Sequence, residues 1–520
     1  MFLTKQQEDI IQRSKDMQRG DILKIEACAG SGKTFTLVQI ACANPDKKFL
    51  YLAFNRSVVK NAKNKFPPNV TISTSHGLAY RAIVQRFFRD RKIVGQIRPK
   101  DIQNLFIEKS INDLKKIIMS FDAFLYSSEP YCNIPEVLTV IHAIERGDLP
   151  MTHDYYLKLY QVYENKNLDV FDSLMLDEAQ DTNDVTLSIF MTNNCAKIIV
   201  GDTNQSIYGF RGSINALDKI KTSNTATLSI SFRSENEIIQ RANYFINTYT
   251  KPENFVDIKA YFSKKQLLKN CGATKSRAII TRTNSFLIKH ISEIQNGYES
   301  QYNLIKDPNE VFLLSIAVYY LKREKKNLIS NSASFIKRFV NYQELEYYAN
   351  ESDDSELKFA IQMEDTFGQN LFALYERAKY LYQNTKGEIV LTNAHQAKGL
   401  EWDDVTLSSD FESLLYLKAK LIYEEMKVFG KAPLKVILEN FYNSARNSVF
   451  AIDLIQESNL YYVAVTRARI ALLDNSDNNI EYTSIKCGAS HLKQLRAKIN
   501  DVKRAEEFSL YMTSVHSEYF

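Results

Sequence analysis

Residues 22–34, ILKIEACAGSGKT, decide the fold. An apolar run at 22–26 meets a turn of small residues at 27–32, and residues 33–41 then read as a helix. A strand, a tight turn and a helix opening on Gly32-Lys33-Thr34 make a phosphate cradle. Small residues let backbone N–H groups approach phosphate oxygens, and the helix N-terminus favours their charge. In such a loop Ala29, Gly30, Ser31 and Gly32 surround the phosphates, Lys33 reaches the outer ones, and Thr34 holds magnesium. The first position of the G-x-x-x-x-G-K-[ST] pattern is Ala27.

Outward from this stretch the strand–helix rhythm continues. Residues 49–53 form a second apolar strand, 57–65 a helix closed off by Pro67 and Pro68, and 70–74 a third strand. Such alternation indicates a parallel sheet flanked by helices. From about residue 80 to 165 the pattern is helical, and strands resume at 174–176 and 198–200. A second α/β pattern begins near 227–230, continues at 278–281, turns helical through 284–386, notably at 309–321, and regains strands at 389–392 and 405–407. The expectation is an α/β chain of two parallel-sheet domains, each interrupted by a mainly helical insertion. Residues 1–80 and 165–225 form the first domain and 81–164 its insertion. Residues 226–290 and 386–475 form the second, with 291–385 as insertion and 476–520 as a tail. Residues 410–455 and the tail are also helix-like.

Composition sets looser bounds. At 520 residues the chain is too long for one ordinary core, and its 45% hydrophobic and 24% charged residues fit a globular protein. A net charge of +5 permits a polyanionic partner without requiring one. Six scattered cysteines form no C-x-x-C pair, which points to a reducing compartment and away from zinc or iron–sulfur centres. No apolar run approaches a membrane span, and the first residues lack a basic-then-apolar leader. The expected location is the cytoplasm, or the nucleus in a eukaryote, without a membrane partner.

Further blocks follow in order: 3–7 (LTKQQ), 176–181 (LDEAQD), 200–212 (VGDTNQSIYGFRG), 231–234 (SFRS), 395–401 (HQAKGLE) and 462–468 (YVAVTRA). Asp177 and Glu178 end a buried strand, where one carboxylate can join a magnesium shell and the other can orient an attacking water. This set and its order resemble superfamily 1 helicases of the UvrD/Rep type. Residues 49–54 (FLYLAF), 74–80 (TSHGLAY) and 151–159 (MTHDYYLKL) are similar in particular to the helicase core of the F-box DNA helicases. No room for an F-box precedes Leu3, so a ubiquitin-ligase role is not expected.

The resemblance implies two RecA-like motor domains and assigns roles. Gln7 would recognise the adenine edge, Phe232 would stack on adenine, Gln205 would sense the γ-phosphate, and Glu401 would lie near the ribose and phosphates. Arg233 and Arg467 would approach the γ-phosphate from the second domain, so Arg467→Ala is expected to spare ATP binding and abolish turnover. Phe35 stands where bacterial relatives often carry Arg. Phe54, Tyr208 and Phe210 would stack on bases of single-stranded DNA, with Asn55, His76, Arg211 and His395 as polar contacts. Trp402 reads as packing, and the basic run 322–326 (KREKK) as a solvated helix face.

The expected activity is that of an ATP- and Mg2+-dependent DNA helicase or translocase, running 3′ to 5′ on single strands and DNA junctions. Two alternatives use the same motifs: a translocase that strips proteins without unwinding, and an ATP- and DNA-regulated subunit of a repair or defence complex. No nuclease constellation follows residue 473, so any cutting would need a nuclease partner.

Overall fold

The computed structural model describes residues 3–53, 56–164, 167–209, 214–250, 256–269, 271, 275–429 and 449–517. The chain divides into two compact units, one of Met1–Ser229 with Phe312–Leu371, the other of Ile230–Val311 with Phe372–Phe520.

The first unit is built on six strands: β1 (Ile22–Ala27), β2 (Phe49–Leu52), β3 (Val70–Ser73), β4 (Ser173–Leu176), β5 (Ala196–Gly201) and β6 (Thr225–Leu228). Their order across the sheet is β3-β2-β4-β5-β1-β6, and every pairing is parallel. Side chains alternate between the faces. Leu23, Ile25, Phe49, Tyr51, Met175, Ile198 and Val200 join one apolar cluster with Ile10 of helix α1 (Lys5–Asp16) and Leu37 and Ile40 of helix α2 (Lys33–Ala43). Leu50, Leu52, Leu174, Leu176 and Ile199 join another, with Phe121, Tyr156 and Phe190. With both faces covered, β2, β4 and β5 are buried at every position. Each fully buried Leu or Ile contributes about 1.5–3 kcal/mol.

Residues 81–164 hold the helices Ile111–Tyr126, Pro135–Arg146 and His153–Tyr163, joined by a short strand pair, Ile93–Val94 with Met151–Thr152. The boundary expected near 226 moves. Thr225–Leu228 pairs with β1, Ile25 facing Ala226, so it closes the first sheet rather than opening the second. An apolar strand pattern carries no information about which sheet takes it up.

The second unit contains a parallel sheet of five strands, β7 (Arg277–Thr281), β8 (Tyr302–Leu304), β9 (Ile389–Asn393), β10 (Trp402–Leu407) and β11 (Ala468–Asp474), in the order β8-β9-β7-β10-β11. β8 falls within the stretch read as mainly helical; three residues are too few to show a period.

Residues 312–371 group with the first unit. Their core of Val318, Leu321, Ile336, Phe339, Leu345 and Leu357 has Ile111 packed against it. Arg98 pairs with Asp354 at 3.3 Å and Glu356 at 2.7 Å, and Lys100 with Glu344 at 2.6 Å. The same two cations lie 4.7 Å over Phe335 and 4.3 Å over Phe339. The basic run beginning at Lys322 is partly neutralised: Lys322 donates to Glu364 and Asp365, and Arg323 to Glu364, each at 2.7 Å. In the second unit the helices Leu414–Phe429 and His491–Ser517 meet through Leu415, Ala419, Ile422, Leu495, Ile499 and Val502. Among the described residues, no helix is long and apolar enough to cross a membrane.

Candidate active site

Parallel pairing brings the carboxyl ends of β1, β4 and β5 to one edge of the first sheet, where ligands of open α/β sheets bind. Leu176 stands beside Leu52 and Ile199, and Glu26 beside Gly201, so the residues that follow these strands converge. After β1 the chain turns through Gly30 at φ +73° and Gly32 at φ +79°, left-handed values that only glycine adopts without strain. Gly32 caps α2 with no side-chain hydrogen bond, and among the described residues the buried Ser31 hydroxyl finds no hydrogen-bond partner. Donors left in this state suit a phosphate.

Lys33 Nζ lies 3.9 Å from Glu178 Oε2. Thr34 Oγ1 donates to Asp177 Oδ2 at 3.1 Å, and the Tyr51 hydroxyl donates to the same oxygen at 2.6 Å. Burial and the neighbouring Glu178 carboxylate push the Asp177 pKa up, against Tyr51, Lys33 and Thr34. Burial and Asp177 likewise push the Tyr51 phenol up. A cation held between Thr34 and Asp177 would favour the ionised carboxylate. Among the described residues no group of three or more His, Cys, Asp and Glu side chains could hold a metal. Magnesium that keeps waters and phosphate oxygens needs no such cage, so Thr34 and Asp177 fit it.

Glu178 sits at φ +52°, a strained value for a residue with a Cβ. Gln180 links it onward. Gln180 Nε2 donates to Glu178 Oε2 at 2.6 Å and its Oε1 accepts from the Asp202 N–H at 3.0 Å. Asp202 Oδ2 in turn accepts from Gln205 Nε2 at 2.6 Å. Glu178 and Gln205 are thus joined through two intermediates. Gly201 passes so close that a Cβ there would lie 2.5 Å from Gln180 Oε1 and 3.1 Å from the Ala179 backbone nitrogen. Gly201→Ala is therefore expected to cost about 1–3 kcal/mol, read by thermal or urea denaturation.

Gln7 is 1% exposed. Its Oε1 accepts from the Thr4 N–H at 3.0 Å, and its Nε2 donates to Thr36 Oγ1 at 3.2 Å. The residue expected to read adenine thus also caps α1 and ties it to α2.

In the second unit Arg233 Nε donates to Glu401 Oε2 at 2.7 Å and Arg233 Nη1 to the Thr466 carbonyl at 3.2 Å. Arg467 is 1% exposed. It donates to the carbonyls of Val463 at 2.8 Å and Leu400 at 3.1 Å, and to Thr466 Oγ1 at 3.1 Å. Arg233, Glu401 and Arg467 therefore form one cluster. The Phe232 ring packs 4.7 Å from Tyr261, and Trp402 is buried.

These positions can be set beside known proteins. A UvrD/REP helicase N-terminal domain model matches residues 100–222. The chain is 27% identical to F-box DNA helicase 1 of Gallus gallus, over 91% of this chain and 49% of that protein. The same identity holds to F-box DNA helicase protein 1 of Schizosaccharomyces pombe, over 94% and 58%. The chain is thus similar to UvrD/REP helicases over residues 100–222 and to F-box DNA helicases over most of its length. It is also 24% identical to the mitochondrial ATP-dependent DNA helicase HMI1 of Saccharomyces cerevisiae, over 69% of this chain and 56% of that one. The chain spans about half the length of these curated relatives.

Of the nucleic-acid contacts expected from the sequence, His76 and Tyr208 line one cavity of about 1210 Å³ in the first unit. His76 Nε2 meets Asp154 Oδ1 at 3.2 Å. Asp122, on the same wall, is pushed up to about 7 by burial and by Asp154. His395 lies in the second unit, on the short helix Ala394–Ala397. Phe54, Asn55, Phe210 and Arg211 lie outside the described residues.

Sequence reasoning missed Tyr51, Gln180, Asp202 and Asp154. Tyr51 carried a signal: a phenol in a strand buried at all four positions must find a polar partner. The others become visible only when strands distant in sequence are laid side by side.

Proposed function

We propose that this chain is an ATP- and magnesium-dependent DNA motor, a helicase or single-strand translocase moving 3′ to 5′ on single strands and DNA junctions. The observation that carries the reading is the convergence of Lys33 and Thr34, at the head of α2, on Asp177 and Glu178 at the end of β4. Lys33 holds the outer phosphates, Glu178 orients the attacking water, and Gln205 reports the γ-phosphate. Thr34 and Asp177 would hold magnesium, which would supply charge neutralisation at the phosphates. Arg233 and Arg467 add positive charge at the γ-phosphate, so hydrolysis waits on a nucleotide-driven change between two RecA-like domains. Gln7 and Phe232 bind the base, and Glu401 the ribose side.

His76, Tyr208 and His395, with Phe54, Asn55, Phe210 and Arg211, grip the strand. Stacking of aromatics on bases gives about 1–3 kcal/mol per base without reading sequence. The protein works in the cytoplasm, or in the nucleus of a eukaryote, alone or beside a nuclease or repair protein.

ATP turnover measured with single-stranded DNA, duplex DNA and RNA tests this reading. Single strands are expected to stimulate turnover strongly. Their binding constant is expected to fall with salt, with a log–log slope of about −0.7 per neutralised phosphate. Turnover indifferent to every nucleic acid would overturn the proposal. Strand-displacement and protein-clearance assays run side by side decide between unwinding and stripping.

A further inference from the structure

We propose that Glu26 is a positioning residue for ATP hydrolysis, fixing the turn that carries Gln205 to the strand that delivers the phosphate loop; this rests on the nucleotide-site reading above. Glu26 is the penultimate residue of β1, directly ahead of the 27–32 turn. Its Oε1 accepts from the Thr203 backbone N–H at 2.8 Å, and its Oε2 from the Thr203 hydroxyl at 3.1 Å. A third group fixes the direction of that hydroxyl. Asn215 Nδ2 donates to Thr203 Oγ1 at 3.0 Å, which leaves the hydroxyl proton for Glu26.

Thr203 opens a single helical turn, Thr203–Gln205. Asp202, which caps it, accepts from the Asn204 N–H at 3.1 Å and from Gln205 Nε2 at 2.6 Å. One carboxylate therefore holds the first residue of the turn and a second holds the last. An apolar side chain at 26 would leave both Thr203 donors without these acceptors, and the turn would lose this tie to the phosphate strand. Gln205 would then sample positions away from the phosphate, a loss that falls on the chemical step rather than on nucleotide binding.

Accepting two hydrogen bonds requires the ionised carboxylate. The carboxylates facing Glu26 are Asp202, at the turn, and Asp218, on the helix Ala216–Lys219. Lys24, on the same strand, is bonded to the Leu217 and Ile220 carbonyls. Burial raises Glu26 to about 7, with Asp202 and Asp218 adding to it and the Thr203 hydrogen bonds opposing. Once protonated, one oxygen becomes a donor, and the Thr203 hydroxyl must turn round to accept from it, exchanging a charge-assisted bond for a neutral one. As pH falls through about 7 the tie to the turn weakens, and kcat falls with it.

The test is DNA-stimulated ATP turnover by the full chain across about pH 6–9, for wild type, Glu26→Gln, Glu26→Asp and Thr203→Val, with melting temperatures to confirm folding. Glu26→Gln, an analogue of the protonated acid, is expected to lower kcat about tenfold at alkaline pH. It leaves KM for ATP near wild type and removes the acid limb near pH 7. Thr203→Val gives a smaller fall in kcat, and Glu26→Asp restores part of the rate together with the limb. Glu26→Gln with wild-type kcat and an unchanged acid limb would overturn the proposal. So would a loss that only tracks unfolding while Thr203→Val is silent. A wild-type chain that does not hydrolyse ATP would overturn the reading beneath it instead, and this one with it.

Discussion

Glu178→Gln is expected to slow ATP hydrolysis by about 10³-fold while nucleotide still binds, because the change removes one negative oxygen and almost no volume. Positioned general bases contribute about 10²–10⁴ in rate. Glu178 is held for such a role by costly means. It occupies a left-handed backbone conformation at φ +52°, and its carboxylate is anchored by Gln180 at 2.6 Å. Lys33, at 3.9 Å, completes the local charge. The amide keeps the backbone strain and the packing but loses the affinity for a water proton. Single-turnover hydrolysis with saturating single-stranded DNA, beside binding of a fluorescent nucleotide, separates the two steps. Turnover within a few-fold of wild type would remove Glu178 from the chemistry.

Arg467→Ala carries the second large effect, and the structure changes how it must be read. The motif context alone predicts a clean loss of turnover, on the order of 10³–10⁵ for a catalytic arginine. Arg467, however, is 1% exposed and bonded to the Val463 and Leu400 carbonyls and to Thr466. Truncation strips partners from buried acceptors, at about 1–3 kcal/mol for each group left unsatisfied. The variant is therefore expected to lose both turnover and thermal stability. Turnover per folded molecule, corrected by a denaturation curve, discriminates between the two contributions. If the folded fraction hydrolyses ATP normally, Arg467 is a structural tie between the end of the helix Val449–Val465 and the chain before Glu401, and no more.

The centre of the first sheet was legible because β2 and β4 are buried at every position and read as short apolar runs. The phosphate turn was legible because glycine, lysine and threonine at that spacing follow a strand and open a helix. What escaped depends on contacts between distant residues. Thr225–Leu228 looked like the start of a new sheet, yet it hydrogen-bonds to β1. Residues 312–371 read as part of the second half, but Arg98 and Lys100 bind their acidic and aromatic side chains. Gln7 was assigned to adenine by its motif, and it also bonds to Thr4 and Thr36; the Thr4-x-x-Gln7 spacing announces the first bond as a capping box, while nothing local announces the second.

The placement of β1 also governs when this protein can mature during synthesis. Ile25 is flanked by Val200 on one side and Ala226 on the other. The strand that leads into the 27–32 turn is synthesised well before either neighbour and must stay unmated until both emerge, a long exposure for a segment whose Leu23 and Ile25 end up buried. Chaperone protection of that nascent stretch is the expected result of the delay, and a truncated fragment would have to run past Leu228 before β1 could be paired on both sides.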